Sequence, residues 1–248
     1  MTKDEWDKFV KAREQFRKIT EELSRSLPKL KSIQQQFINN RNEKNHYKVE
    51  TPVVYNTALD DLTIDDEIKL ILVADNPGRR EQMSENRRYL VGPSGKIANK
   101  FFQNNPPLKI DFYKNVIILN KTPIHSPRTV ELRQLCLLET NGETIAAALE
   151  ESQKRMAALL VNFQEALNCP VWITGYSEMR KNGLFENYTE SLKMLYAKKS
   201  KLYKQVYIFR HFSMNQFTID LKQQSLPGES AAKSLSRIGA AYRQRILE

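Results

Sequence analysis

Four polar side chains of types common in catalytic sites each follow a short apolar run of this sequence. They are Asp75, Asn76, Asn120 and His211. An aspartate can serve as a general base, whereas an asparagine can hold a water or pair with a polar ligand edge through its amide. A histidine can donate a hydrogen bond to a developing anion, as in an oxyanion hole. These residue types could activate a water, recognise a ligand and stabilise an anion, provided that the fold brings them together.

The apolar runs that precede these residues predict buried strands. Each run is continuous rather than alternating, which is typical of strands covered on both faces. The runs lie at residues 68–74, 116–119, 171–174 and 206–209. Helical patterns separate them at residues 94–103, 142–167 and 183–197. This alternation predicts a parallel sheet with helices on both sides.

The ends of the predicted strands indicate where a site would lie. Parallel sheets carry their chemistry at the carboxyl ends of the strands, which meet at one edge. The segments that follow the strands are 75–78, 120–123, 175–177 and 211–213. We call them together the carboxyl edge, and we expect the candidate residues to converge there.

Both ends of the chain have helical patterns. Residues 3–24 form an amphipathic helical pattern, and Thr2 and Glu5 could form a capping box at its start. A shorter helix is expected after Pro28, a polar loop at 40–50, and a last helix at about 230–246. No Gly/Ser linker divides the 248 residues. We therefore expect a single domain over 1–248, with residues 1–45 as a helical segment packed on it.

Composition narrows the classes of protein. Hydrophobic residues make up 40% of the chain, which suits a globular protein. The formal net charge is +10, which favours a polyanionic partner such as DNA, and the alternative is a generally basic, solvated surface. The chain has neither an apolar run of the roughly 18 residues that span a bilayer nor the apolar core of a signal peptide. A cytoplasmic location and no membrane partner are therefore expected.

Cysteine and histidine usage argues against several site types. The two cysteines, Cys136 and Cys169, are expected to pack as small hydrophobes rather than form a disulfide framework. They and the three histidines show no metal-ligand spacing, so we expect no metal and no cofactor. A phosphate loop at residues 92–96 is excluded because Leu90 and Ile97 stand where that motif needs Gly and Ser or Thr. His125 is expected to lie in a loop.

Four segments together resemble the uracil-DNA glycosylase superfamily. Residues 71–78, ending in Asp75-Asn76-Pro77-Gly78, resemble its first motif, and residues 89–96 look like the Pro-Phe-Val-Gly-x-x-Gly element of its thermophilic branches. Residues 116–120 are similar to the strand whose terminal Asn reads uracil, and residues 206–213 resemble the strand leading into His-Pro-Ser. The matches occur in the family's order and cover roughly residues 68–217.

The resemblance implies a fold, an activity and a set of site residues. It implies a three-layer αβα sandwich around a four-stranded parallel sheet in the order 2-1-3-4, and hydrolysis of the N-glycosidic bond of uracil or a related damaged base in DNA. Asn76, Asp75 and His211 would be catalytic. The substrate-binding residues would be Asn120, Leu90, Tyr89, Gly78 and Ser213.

Candidate DNA contacts lie beside these motifs. They are Arg79, Arg80, Arg87, Arg88, Ser94 and Met214. The arginines would hold phosphates, and Ser94 could cap a helix whose N-terminus faces a phosphate. Met214 could enter the space left by a flipped base. The alternative for all six is an ordinary solvated or packed surface.

The sequence departs from the family pattern at several positions. Ala74 replaces a Gly, Leu90 stands where a Phe stacks on uracil with Tyr89 beside it, and Phe212 replaces the Pro of His-Pro-Ser. Two other functions stay open: a non-catalytic binding protein on the same fold, and an enzyme of small nucleobases or nucleosides. Asn76 could equally be a turn residue, Asn120 a loop cap and His211 an interior histidine.

Overall fold

A four-stranded, all-parallel sheet lies at the centre of the computed structural model, which describes residues 1–41, 46–138 and 143–248. The strands are β1 (Leu70–Ala74), β2 (Val116–Asn120), β3 (Val171–Thr174) and β4 (Val206–Phe209). Their order in the sheet is β2-β1-β3-β4, so the predicted order 2-1-3-4 is confirmed. Ala74 pairs with Asn120 and Thr174 with Phe209, which brings the four carboxyl ends to one edge.

Nine α-helices surround the sheet in the described part of the chain. They are α1 (Lys3–Ser26), α2 (Leu30–Asn39), α3 (Pro93–Gln103), α4 (Glu131–Leu138), α5 (Glu143–Leu167), α6 (Glu186–Tyr196), α7 (Ser200–Tyr203), α8 (Gln216–Gln224) and α9 (Ala231–Leu247).

The two faces of the sheet are covered by separate apolar clusters. Alternate strand residues point to opposite faces. Ile71 and Val73 therefore join the larger cluster, which includes residues of α1, α5 and α6. Leu70 and Leu72 join a smaller cluster with residues of α3, α8 and α9. The resulting helix–sheet–helix arrangement is the predicted three-layer αβα sandwich.

The predicted N-terminal helical segment packs on this core. The capping box of Thr2 and Glu5 is present at the start of α1: the Thr2 hydroxyl accepts from the Glu5 N–H, and the Glu5 carboxylate accepts from the Thr2 N–H at 2.7 Å. Phe9 and Phe16 of α1 are fully buried, and the Phe9 ring lies 5.5 Å from that of Phe163 in α5. The apolar face of α1 thus packs against α5.

The strand and helix predictions were accurate where an apolar pattern was long or continuous. β3 and β4 have the predicted bounds, whereas α4, α7 and α8 were not predicted. α7 is only four residues long, and α8 buries only Phe217 and Asp220, so each leaves little pattern in the sequence. The predicted first residue of α5, 142, and residues 42–45 of the predicted loop lie outside the described residues.

Neither cysteine forms a disulfide: Cys169 is buried and Cys136 is partly buried. None of the helices in the described ranges is both long and apolar enough to cross a membrane.

Candidate functional site

A buried ion pair joins the ends of β1, β2 and β3. The backbone N–H of Lys121 donates to the carbonyls of Ala74 and Asp75, each at 3.0 Å, and so continues the strand pairing past β2. The Lys121 side chain is fully buried, and its ammonium group contacts Asp75 Oδ1 and donates to the Thr174 carbonyl at 2.5 Å. The Thr129 hydroxyl donates to Asp75 Oδ2 at 3.2 Å. Both carboxylate oxygens therefore have partners within the protein.

Gly175 provides the space that this carboxylate occupies. Its φ of +82° lies in the left-handed region, and a Cβ built there would lie 2.4 Å from Asp75 Oδ1. Both features favour glycine. The backbone N–H of Gly175 donates to the Phe209 carbonyl at 3.0 Å, which ties this turn to the end of β4. Glycine at position 175 thus lets the β3 turn approach Asp75.

His211 lies after β4 and lines an open cavity of about 290 Å³, which we call the His211 cavity. The Ser213 N–H donates to His211 Nδ1 at 3.0 Å. A neutral imidazole that accepts at Nδ1 carries its proton on Nε2. Burial lowers the pKa of His211 below its usual range, Asp75 opposes this change, and Lys121 adds to it. The geometry therefore favours a neutral histidine whose Nε2–H donates to no group among the described residues.

The rest of the His211 cavity is polar and includes two arginines, of which Arg210 pairs with Asp220 at 3.2 Å. Besides His211 and Ser213 it is lined by Gly175, Tyr176, Ser177, Arg180, Arg210 and Gln216. The guanidinium carbons of Arg180 and Arg210 lie 4.9 Å and 6.0 Å from the Tyr176 ring centre, and Tyr176 stacks on Tyr242 at 4.6 Å. The lining can offer several donors to an anionic or polar ligand.

Asn76 and Asn120, the two candidate amides, have different surroundings. Asn76 is partly buried, and its amide N–H groups donate to Pro77 and Ser126, including the Ser126 hydroxyl at 3.0 Å. Asn120 is 1% exposed, and among the described residues neither of its amide atoms reaches a hydrogen-bonding partner. Buried polar atoms are rarely left unpaired, so the enclosed Asn120 amide has unused hydrogen-bonding capacity. It does not line the His211 cavity.

Tyr89 and Leu90, the candidate stacking residues, are buried. Tyr89 belongs to the larger apolar cluster, and its hydroxyl donates to the Val54 carbonyl at 2.6 Å. Leu90 has a φ of +52° and belongs to the smaller cluster. Ala74 and Phe212 are members of the same cluster. The three departures from the glycosylase motifs therefore occupy one apolar cluster.

The candidate DNA-contacting arginines lie in the exposed segment after β1. Arg79 stacks 5.0 Å above the Tyr47 ring, Arg88 pairs with Asp61 at 2.6 Å, and Arg80 and Arg87 are exposed. Their side chains could approach a phosphate backbone from solvent.

The structure places Gly78, Ser94 and Met214 as follows. The prediction that Ser94 caps a helix was wrong: the cap of α3 is Gly92, and Pro93, whose fixed φ suits the first helical position, begins the helix. Met214 is 83% exposed with a φ of +53°. Gly78 donates its N–H to the Glu81 carboxylate at 3.1 Å.

Two further buried titratable groups support the segment after β1. His125 lies in a loop, as predicted, and is fully buried: its Nδ1 bonds to the Pro77 carbonyl and its Nε2 to the Tyr47 hydroxyl, each at 2.8 Å. Burial lowers its pKa to about 4. Burial raises the pKa of Glu81 to about 7, against hydrogen bonds from the backbone of Gly78 and Leu90. Both groups fix backbone rather than face the His211 cavity.

Sequence reasoning missed several residues of the carboxyl edge. Lys121 and Gly175 lie within the predicted segments, but lysine is rarely buried and glycine carries no reactive group, so neither was selected. Arg180 and Arg210 carried no motif signal. Position directly after a buried strand was the signal that could have identified Lys121.

No known family model matches the sequence, and no curated protein matches it. Among the described residues, no group of three or more His, Cys, Asp or Glu side chains is arranged to hold a metal ion.

Proposed function

We propose that this protein is a divergent member of the uracil-DNA glycosylase superfamily that hydrolyses the N-glycosidic bond of uracil or a related damaged base in DNA. The observation that carries the proposal is the hydrogen bond from the Ser213 N–H to His211 Nδ1. It leaves the Nε2–H of a neutral His211 as a donor at an open cavity. Such a donor would stabilise the negative charge that develops on a departing base.

The other residues of the carboxyl edge fit the remaining steps. The base must first leave the duplex stack, because the glycosidic bond is otherwise out of reach. The enclosed amide of Asn120 would pair with the donor and acceptor of the base edge only if entry of the base opens the end of β2, because Asn120 does not line the His211 cavity. Asn76 would orient the attacking water. Asp75 would not touch the substrate, because Lys121 and Thr129 hold its two carboxylate oxygens.

DNA as the substrate is supported by charge and exposure. The net charge is +10, and Arg79, Arg80 and Arg87 are exposed on the segment after β1. They would contact phosphates without reading sequence. Met214 is exposed in a left-handed conformation next to the His211 turn, where it would fill the space of an extruded base.

An excision assay tests the proposal. Oligonucleotides carrying uracil, hypoxanthine or xanthine, single-stranded and opposite each base, are incubated with the protein, and abasic sites are cleaved and counted. We expect release of at least one base. His211→Ala and Asn76→Ala should each slow release by about 100-fold or more, because each removes one preorganised polar group. His46→Ala, which removes an exposed histidine, is the matched control and should be fully active.

A second candidate function is non-catalytic binding of the same ligands. Two observations favour it: Lys121 and Thr129 already occupy the Asp75 carboxylate, and Ala74, Leu90 and Phe212 contribute to a packed apolar cluster. Fluorescence anisotropy with uracil-containing and abasic oligonucleotides separates the two candidates. Tight binding of a lesion, with no base released over hours, would replace the glycosylase proposal by the binding one.

A further inference from the structure

Tyr89 and Leu90 lie across the carboxyl edge, with their side chains in the apolar clusters on opposite faces of the sheet. Both side chains are buried. Tyr89 belongs to the larger cluster together with Val73 of β1, and Leu90 belongs to the smaller cluster together with Ala74, the last residue of β1. The two residues therefore straddle the strand ends on the β1 side of the edge.

Two routes of hydrogen bonding place Tyr89 beside Asn120, the last residue of β2. On one side, the Tyr89 N–H donates to Asn56 Oδ1 at 3.3 Å, and the Asn56 amide donates to the Ile118 carbonyl of β2 at 2.8 Å. On the other side, the Tyr89 hydroxyl donates to the Val54 carbonyl, and the Val54 N–H donates into the segment after β2 at 2.9 Å. These contacts flank Asn120 in the chain, so Tyr89 closes the space beside its amide.

This closed arrangement has two unfavourable features. Neither Asn120 Nδ2 nor Oδ1 reaches a partner among the described residues, and a buried polar atom without a partner costs free energy. The backbone on both sides of Tyr89 is left-handed, with a φ of +43° at Arg87 and +52° at Leu90, which residues other than glycine rarely adopt. Strain of this kind is concentrated in ligand clamps and switch segments.

The outer part of the same segment is held weakly. Arg87 and Arg88 are exposed, and Arg88 pairs with Asp61 at the surface, where an ion pair contributes little to stability. The Thr57 N–H donates to the Arg87 carbonyl at 2.9 Å. Residues 87–90 are thus fixed mainly by the two buried side chains at their carboxyl end.

We propose that residues 87–90 form a lid over a recognition site at Asn120, and that the lid opens to admit the planar donor–acceptor edge of a base. The proposal deepens the proposed function, on which it rests for the identity of the ligand. In the closed form the Asn120 amide has unused hydrogen-bonding capacity, and in the open form it pairs with the ligand. The new hydrogen bonds offset the cost of displacing Tyr89 and Leu90, so the ligand shifts the population toward the open form.

Gly95 allows the lid to be opened by a substitution outside the site. It lies in the first turn of α3, and a Cβ built there would lie 1.4 Å from the Leu90 carbonyl oxygen. Because both positions are backbone, Gly95→Ala must displace the lid or the start of α3. Gly92→Ala adds the same Cβ with no atom within 4 Å and is the matched control.

Hydrogen exchange followed by NMR on the full chain measures the opening. In the wild type, the Tyr89 amide should exchange faster than the Lys121 amide, which continues the strand pairing, because the lid opens without global unfolding. Gly95→Ala should speed exchange at Tyr89 by about tenfold and leave Lys121 unchanged, whereas Gly92→Ala should change neither. Equal protection of the two amides in the wild type overturns the lid, whether or not the variants fold. An unchanged Tyr89 rate in folded Gly95→Ala overturns it as well.

Free uracil tests the recognition site, with 1,3-dimethyluracil as the matched ligand that lacks an N–H donor. The side-chain amide signals of Asn120 should shift on addition of uracil and stay unchanged with the dimethyl compound. Gly95→Ala should bind uracil about tenfold more tightly than the wild type, because a larger fraction of the protein is open. A Gly95→Ala protein that opens and binds no uracil contradicts the recognition site.

Asn120→Leu tests whether the amide is unpaired in the closed form. The substitution replaces it by an apolar group of similar size, so the melting temperature should rise by about 2–4 °C. A fall would mean that the closed protein already satisfies the amide and would contradict the proposal.

None of these measurements follows base excision, so the two proposals fail separately. A lid that opens and takes uracil in a protein that releases no base from DNA contradicts the glycosylase activity alone. Excision by a protein whose Tyr89 amide is as protected as that of Lys121 contradicts the lid alone.

Discussion

The two halves of the carboxyl edge differ in how their polar groups are surrounded. After β1 and β2, the Asp75 and Lys121 charges are buried against each other, and His125 is buried with both ring nitrogens bonded. After β3 and β4, His211 and Arg210 face an open cavity. The first half keeps its geometry through internal partners, whereas the second has donors that a ligand can reach. This division suggests that the buried Asp75–Lys121 pair and His125 hold the carboxyl edge in place, and that a ligand first meets the residues after β3 and β4.

Breaking the buried Lys121–Asp75 pair is expected to have the largest effect on stability. Lys121→Met should lower the free energy of unfolding by about 3–5 kcal/mol, because it leaves a buried carboxylate without its cation. The double variant with Asp75→Asn should recover most of the loss, since no buried charge remains unpaired. Urea denaturation measures both. A surface pair such as Lys199–Glu165 contributes less than about 1 kcal/mol. A loss this small in Lys121→Met would mean that the buried pair stabilises the fold no more than a surface pair does.

Glu81 predicts a pH dependence on the buried side. Its pKa is about 7 in the folded protein and 4.5 in its ordinary state, so between these values the folded protein binds the proton that the unfolded chain has lost. The stability that Glu81 contributes should therefore be present at and below pH 4.5 and be lost as pH rises to 7, whereas His125, whose pKa is lowered to about 4, contributes the opposite dependence between pH 4 and 6.5. For Glu81 the loss is about 3 kcal/mol, from about 1.4 kcal/mol per unit of pKa.

Urea midpoints from pH 4.5 to 8 check this prediction. Glu81→Gln should lose this part of the pH dependence. Between pH 4.5 and 7, its free energy of unfolding should therefore rise relative to that of the wild type. Glu85→Gln, in the same segment and exposed, should keep the wild-type slope. If the slope persists in Glu81→Gln, the burial of Glu81 is not its source.

Gly175 and Gly228, the two glycines of the described residues with a left-handed φ, allow backbone strain to be separated from close approach. Gly175→Ala should cost more than about 2 kcal/mol, because the φ of +82° disfavours alanine and the new Cβ would meet Asp75 Oδ1 at 2.4 Å. Gly228→Ala, at a φ of +74° with no atom within 4 Å, should cost only the conformational part, about 1–2 kcal/mol. Equal losses in thermal or urea unfolding would mean that Asp75 adapts and is not held by the β3 turn.

The smallest effect on stability is expected on the open side. Arg180→Ala should change the free energy of unfolding by less than about 1 kcal/mol, since it removes an exposed side chain that stacks on Tyr176. If the cavity meets DNA, the slope of log affinity against log salt should fall by about 1, the value for one lost phosphate contact. Arg25→Ala, on the exposed face of α1, is the control. A slope identical to the wild type would remove Arg180 from the DNA interface.

Local sequence patterns were enough to predict the strands and the main helices that position the candidate site. The continuous apolar runs gave strand bounds that match β3 and β4, because strands covered on both faces need no polar residues. The capping box of Thr2 and Glu5 was readable because a helix start depends on residues three apart. The meeting of residues 75, 120 and 211 at one edge followed from parallel pairing. Short helices such as α7 were missed, since four residues leave too little periodicity.

The sequence by itself determined the layered fold, the strand ends and the residue types at the carboxyl edge, because each depends on neighbours along the chain. Only the tertiary structure decided which of those polar groups are buried. Lys121 is enclosed because three strand ends and Phe185 surround it, and His211 reaches a cavity that is lined by residues following both β3 and β4. The burial and the charge environment of a side chain depend on many contacts between residues distant in sequence, and a short motif does not specify those contacts.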